Sequence, residues 1–140
     1  MSGRAQSKPI SSFKQKINKK KTLKEKKNIT ASIVLYNEDI DELSKTIDSF
    51  MAIPLSKKLF LIDNSPTGIL KNKFNHQDID YRFNAKNIGF GAGHNTVIDT
   101  IKKTSEYHLI LNPDVSFAPD VIPTLIEELE ADKELAMIAP

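Results

Sequence analysis

Along residues 29–140 the apolar positions come in two rhythms. Short continuous runs rich in β-branched residues read as buried strands, and apolar residues recurring every three or four positions read as helices. "ITASIVLY" (29–36) predicts a first strand. In "NEDIDELSKTIDSFMAIP" the residues Ile40, Leu43, Ile47, Phe50 and Met51 fall on one helical face. Asp39 and Glu42 are spaced as in a capping box, and Pro54 marks the end. "KKLFLIDNSPTG" (57–68) predicts a second strand running into a turn, and "IDYRFNAKN" (79–87) a weaker third. "IGFGAGHN" reads as a glycine-rich loop, followed by a helix over "TVIDTIKK" with Val97, Ile98 and Ile101 inward. "EYHLILNPD" is a fourth strand. "APDVIPTLIEELEAD" is a helix with Val121, Ile122, Leu125, Ile126 and Leu129 on one side. Pro119 and Pro123 lie in or near its first turn, where a missing N–H costs little. "ELAMIAP" opens a fifth strand.

The predicted order is β-α-β-β-α-β-α-β. Strands alternating with helices predict an α/β domain with a mainly parallel sheet covered on both faces. In such sheets ligands bind at the carboxyl ends of the strands. That rule selects Tyr36-Asn37, Asp63-Asn64, Asn87 and Asn112-Pro113-Asp114, which all follow predicted strands and are expected on one edge.

Charge divides the chain differently. Residues 1–28 hold ten basic residues and one acid, Glu25, for +9; the other 112 hold ten basic and seventeen acidic residues, for −7. The first segment is expected to be a disordered basic leader, and 29–140 the folded domain. Its lysines are expected to attract it to an anionic membrane surface. The body offers no basic face or aromatic platform, so a nucleic-acid partner is not expected; the leader is the one route left for it. With 39% hydrophobic residues the chain can bury a core. There is no Cys, which excludes disulfides, thiolate metal sites and a cysteine nucleophile, and fits a reducing compartment. No apolar run reaches the roughly 18 residues of a bilayer span, and no apolar stretch follows the basic N-terminus as in a secretory signal. The expected location is cytoplasmic, or peripheral at the inner face of the membrane.

Each candidate group has a functional and a structural reading. Asp63 closes a strand and can accept from a base N–H or a ribose hydroxyl; in "DNSPTG" it can equally bond its own turn. In "NIGFGAGHN" Gly89, Gly91 and Gly93 permit positive φ and close backbone approach to a ligand, or serve a tight connection. No Gly-Lys-Ser/Thr follows, so this is not a P-loop, and G-x-G-x-x-G is absent. The first strand-to-helix turn is acidic, with Glu38, Asp39, Asp41 and Glu42, and repels phosphate. Asp114, held behind Pro113, is a hard oxygen ligand suited to Mg²⁺ or Mn²⁺, with Asn112 as a neighbouring amide, or else part of an Asn-Pro turn. His76, His94 and His108 are scattered without metal spacing, and only His94, inside the glycine segment, invites a test. No Gly-x-Ser-x-Gly elbow occurs.

Taken in order, "ASIVLYN", "LFLIDNSP", "NAKNIGFGAGHN" and "LILNPDV" resemble the family 2 glycosyltransferases of GT-A fold, nearest to their rhamnosyltransferase-like branch. The resemblance implies a Rossmann-like GT-A domain. It implies transfer of a sugar, rhamnose in that branch, from a nucleotide-diphosphate donor, with inversion, to a saccharide or lipid-linked acceptor in cell-surface polysaccharide synthesis. It implies that Asp63 contacts the base with Tyr36, Asn37 and Asn64 nearby, and that Asn87, Gly89, Gly91, Gly93 and Asn95 line the nucleoside and sugar side. Asn112-Pro113-Asp114 matches the family's Asp-x-Asp position, so Asp114 would hold a divalent cation, Mg²⁺ or Mn²⁺, with Asn112 in place of the first Asp. The family's acceptor half and catalytic base have no counterpart in these residues; Glu127, Glu128 and Glu130 read as solvated helix charge. The chain thus resembles a donor-binding half, truncated relative to its family, and a non-catalytic nucleotide-sugar-binding fragment is the alternative reading.

Overall fold

The computed structural model describes residues 27–140. Of the expected leader only Lys27 and Asn28 fall within the described residues. Asn28 opens β1, and Lys27 forms an ion pair with Glu130.

The elements are β1 (Asn28–Leu35), α1 (Ile40–Met51), β2 (Ser56–Asp63), β3 (Ile79–Phe83), α2 (Phe90–Asn95), α3 (Ile98–Thr104), β4 (Tyr107–Leu111) and α4 (Val121–Ala131). All strand pairs are parallel, in the order β3-β2-β1-β4. The α/β architecture expected from the alternation is the one observed.

β1 lies inside the sheet and is buried from Ile29 to Leu35. Alternation gives its two faces different work. Ile29, Ala31, Ile33 and Leu35 pack with Leu59 and Leu61 of β2 against Leu43, Ile47 and Phe50 of α1 and Ile122 and Ile126 of α4. Each Leu, Ile or Phe side chain among them contributes about 1.5–3 kcal/mol when fully buried. Val34, on the opposite face, packs with Phe60, Ile62 and Val97.

α1 starts at Asp39, whose Oδ1 accepts from the N–H groups of Asp41 (2.8 Å) and Glu42 (3.0 Å). The capping box is formed on one side: the Glu42 carboxylate bonds Lys45 at 2.6 Å. Ile40 sits a turn before the buried stripe of Leu43, Thr46, Ile47 and Phe50 and is exposed.

Three expectations are corrected. The segment "FGAGHN" is helical, not a loop: Gly89, with φ 89°, provides the entry that other residues rarely adopt, and α2 begins at Phe90. The helix then breaks at Thr96–Val97 and restarts at Ile98. This break turns Val97 into the core and leaves Ile98 exposed. Finally, residues 135–140 form no strand, with Leu135 and Met137 exposed. An apolar run becomes a strand only by pairing, and among the described residues this one does not pair with β4, the edge strand.

Candidate functional site

The chain runs β1, β2, β3 in one direction across the sheet and then returns to place β4 on the other side of β1. The carboxyl ends of β1 and β4 therefore flank the point where strand order reverses, where open α/β sheets form their ligand crevice. Leu35 pairs with Asp63 and Asp63 with Phe83, while Ile33 pairs with Leu111. Tyr36-Asn37, Asp63-Asn64 and Asn112-Pro113-Asp114 thus leave the sheet on the same edge, and the Asn87–Gly89 turn joins them through Asn64.

These residues divide by what they touch. Asp63 is fully buried, and both its oxygens are taken: Oδ1 accepts from the Ser65 N–H at 2.8 Å and Oδ2 from the Tyr81 hydroxyl at 2.5 Å. Burial first, and the Asp63 carboxylate second, push the Tyr81 hydroxyl well above the usual phenol range. In this arrangement Asp63 anchors the turn. Asn64 is also buried; its amide donates to the Gly89 carbonyl at 3.2 Å and accepts from Asn84 at 2.8 Å. The Asn87 side chain accepts from the Gly89 N–H at 2.9 Å. One amide chain thus ties the ends of β2 and β3 to the start of α2.

Asn37 is left-handed, φ 54°, a conformation Asn tolerates, and its N–H donates to Ser65 Oγ at 2.8 Å. Tyr36, Asn37, Asn87, Asn95, Asn112 and Asp114 are exposed. Gly91 differs from expectation: its φ is not positive, and a Cβ there would meet open space. Gly93 is the close approach, since a Cβ would lie 2.7 Å from Val34 Cγ2.

The Asn112–Asp114 turn is fastened to α1. The buried Thr46 hydroxyl donates to the Pro113 carbonyl at 2.8 Å, and the Phe117 N–H donates to Ser49 Oγ at 3.3 Å. Asp114 is exposed. No group of three His, Cys, Asp or Glu side chains able to hold a metal occurs among the described residues. Asp114, an exposed hard carboxylate, is the group that would hold a magnesium-type cation here.

Two readings of scattered charge change. His94 and His108 both hydrogen-bond to Ser32, so they are not independent. Glu130 is not merely solvated: it accepts from the Tyr107 hydroxyl at 2.8 Å and pairs with Lys27. Those contacts hold Glu130 below the usual carboxylate range, Lys27 first and Tyr107 second. The residues missed in the sequence were Ser65, Tyr81, Asn84 and Thr46. Asn84 was findable, because it follows β3 as the others follow their strands.

A cleft of about 300 Å³ lies at the opposite, amino edge, lined in part by Asn28, Ser56, Lys57 and Lys58. Its two lysines are engaged, Lys57 with the Met51 carbonyl (3.1 Å) and Lys58 with the Gln77 carbonyl (2.8 Å). Strand polarity, not concavity, therefore marks the site.

A parallel α/β sheet with polar turns gathered at its carboxyl edge is a Rossmann-like architecture. The family model for glycosyl transferase family 2 matches residues 30–139. The chain belongs to that family, whose chemistry is sugar transfer. No match was found among curated proteins.

Proposed function

We propose that the carboxyl edge between β1 and β4 binds the nucleotide-diphosphate sugar of an inverting glycosyl transfer. The observation that carries this reading is the exposure of Tyr36, Asn37, Asn112 and Asp114 on both sides of the strand-order reversal, while Asp63 and Asn64 are buried beneath as anchors. Tyr36 and Asn37 line the base side. Asp114, with Asn112, would hold a Mg²⁺ or Mn²⁺ ion, and such an ion would supply positive charge against the departing nucleoside diphosphate. The protein's own share is to orient the donor through the fastened Asn112–Asp114 turn, since a misplaced reacting centre loses most of the benefit of binding. Rhamnose as the sugar, and a saccharide or lipid-linked acceptor, extend the proposal on sequence resemblance. The basic leader is proposed to meet anionic lipid, each Lys or Arg near such a surface adding about 1 kcal/mol.

A thermal-shift panel of nucleotide sugars and nucleoside diphosphates, with and without Mn²⁺, tests the reading. Ligand at a hundredfold excess over Kd stabilises by about 2.7 kcal/mol, so a hit is visible. The expected result is a shift with Mn²⁺ that is reduced in EDTA and in Asp114→Ala. Equal shifts in all three conditions reject the cation, and no shift from any nucleotide rejects the donor site.

A further inference from the structure

Ser32, fully buried in β1, lies between two imidazoles. Its Oγ is 2.7 Å from His94 Nδ1 and 2.8 Å from His108 Nε2. The line continues from His108 Nδ1 to Thr30 Oγ1 at 2.8 Å and from Thr30 Oγ1 to Ser105 Oγ at 2.7 Å. It begins at His94 Nε2, a buried nitrogen that has no partner among the described residues. Five side chains from β1, α2, β4 and the end of α3 thus form one row.

A hydroxyl has one proton, and a neutral imidazole has one N–H and one lone pair. Ser32 can donate to one ring only and must accept from the other. If it donates to His94 Nδ1, the His94 proton is on Nε2, and His108 must donate from Nε2. If it donates to His108 Nε2, the His108 proton is on Nδ1, and His94 must donate from Nδ1. Either way the two rings carry the same tautomer. One added proton can be accepted by either ring while the other keeps the matching lone pair. A second confronts Ser32 with two N–H donors and strands its own proton in a buried site.

We propose that Ser32 joins His94 and His108 into one titrating unit that seats α2 on the sheet and thereby positions the donor edge. His94 is a positioning residue here: it sits one residue after Gly93, the point of contact with Val34, and its ring packs edge-on to Phe90 at 4.4 Å between centroids. The part concerning the donor edge rests on the donor-binding reading above; the coupling of the two rings does not.

The surrounding charges do not offset protonation. Arg82 of β3 lies over Phe60, donates to the Thr96 carbonyl at 3.3 Å and pairs with Asp80. α3 carries Asp99, Lys102 and Lys103 with no buried residue among its seven, and Glu106 before β4 is exposed. Burial lowers His94, and burial followed by the neighbouring His94 lowers His108 to about 4.

Long-range proton–nitrogen NMR of the three imidazoles in the full chain tests the coupling without a mutation, with exposed His76 as reference. The expected result at pH 7.5 is the same tautomer for His94 and His108, and linked changes in both on acidification. Opposite tautomers, or independent titration, overturn the coupling. For the positioning half, UDP and dTDP affinities of wild type and of the double variant His94→Gln, His108→Gln are compared from pH 7.5 downward; taking the ratio removes the nucleotide's own ionisation. The wild type should lose about 2- to 30-fold relative to the variant as the pair takes up protons. A ratio independent of pH overturns the positioning role. Absence of nucleotide binding at every pH overturns it together with the donor-binding reading, while the tautomer result stands separately.

Discussion

Thr46, buried in the middle of α1, donates its hydroxyl to the carbonyl of Pro113 across the sheet's end at 2.8 Å. The bond links the apolar stripe of a core helix to the turn that presents Asn112 and Asp114. Thr46→Val keeps the shape and removes the donor. Loss of about 0.5–1.5 kcal/mol is expected, measured as a lower urea midpoint at unchanged m-value. Nucleoside-diphosphate affinity should fall as well. Unchanged stability and unchanged affinity would show that the turn holds itself.

Gly91 and Gly93 should respond oppositely to alanine. At Gly93 the new methyl meets Val34 at 2.7 Å, and overpacking of this kind costs about 1–3 kcal/mol. At Gly91 there is open space and a helical backbone, so Ala gains up to about 1 kcal/mol of propensity. Thermal melts of the two variants decide. If Gly91→Ala is stable yet loses nucleotide binding, the open face at Gly91 is ligand space.

That pair illustrates what the sequence disclosed. Strand ends were legible because apolar runs stop abruptly at Asn and Asp, and polarity of the sheet followed from alternation. Which glycine does what was not legible, because φ at Gly89 and the distance from Gly93 to Val34 depend on how α2 lands on β1. Similarly, Ser32 and Thr30 looked like ordinary members of a buried strand. Only the pairing of β1 with β4, which sets Thr30 beside His108, turns them into hydrogen-bond partners. Asp63 carried both a turn reading and a base-contact reading in the sequence; its bonds to Ser65 and Tyr81 supply the first.

Asp63→Asn replaces an acceptor of two hydrogen bonds by a group that can accept at one oxygen only. A destabilisation of about 1.5–3 kcal/mol is expected from losing a charge-assisted bond in a fully buried position. Tyr81→Phe should cost a similar amount, and the double variant less than the two singles combined, because they share one bond. Strict additivity in this cycle would dissolve the anchor.

Acid should weaken the fold through His108. Its folded value, about 4, is below the usual 6.5, so between those two the unfolded chain binds a proton that the folded chain refuses. Stability then rises with pH across that window and is fully present above 6.5. His108→Gln removes the titration, so the urea midpoint of the variant should change less than the wild type's between pH 6.5 and 4.5. Parallel curves would assign the acid response to other groups.

Ala85 has φ 55°, in the left-handed region that costs a β-carbon about 1–2 kcal/mol. Ala85→Gly relieves that strain at the loop leading to Asn87, less the extra entropy of the unfolded glycine. A net gain of about 0.5–1 kcal/mol in the melt is expected, and a loss would mean that the loop relaxes some other way.

The central claim is that the donor nucleotide binds at the carboxyl edge where strand order reverses. Backbone-amide NMR of the labelled chain titrated with UDP or dTDP in the presence of Mg²⁺ reads this residue by residue. The account predicts shift changes concentrated at Tyr36, Asn37, Asn87, Gly91 and Asp114, with Ser56, Lys57 and Lys58 at the opposite edge unmoved. Changes centred on the amino-edge cleft, or none at saturating nucleotide, would contradict it.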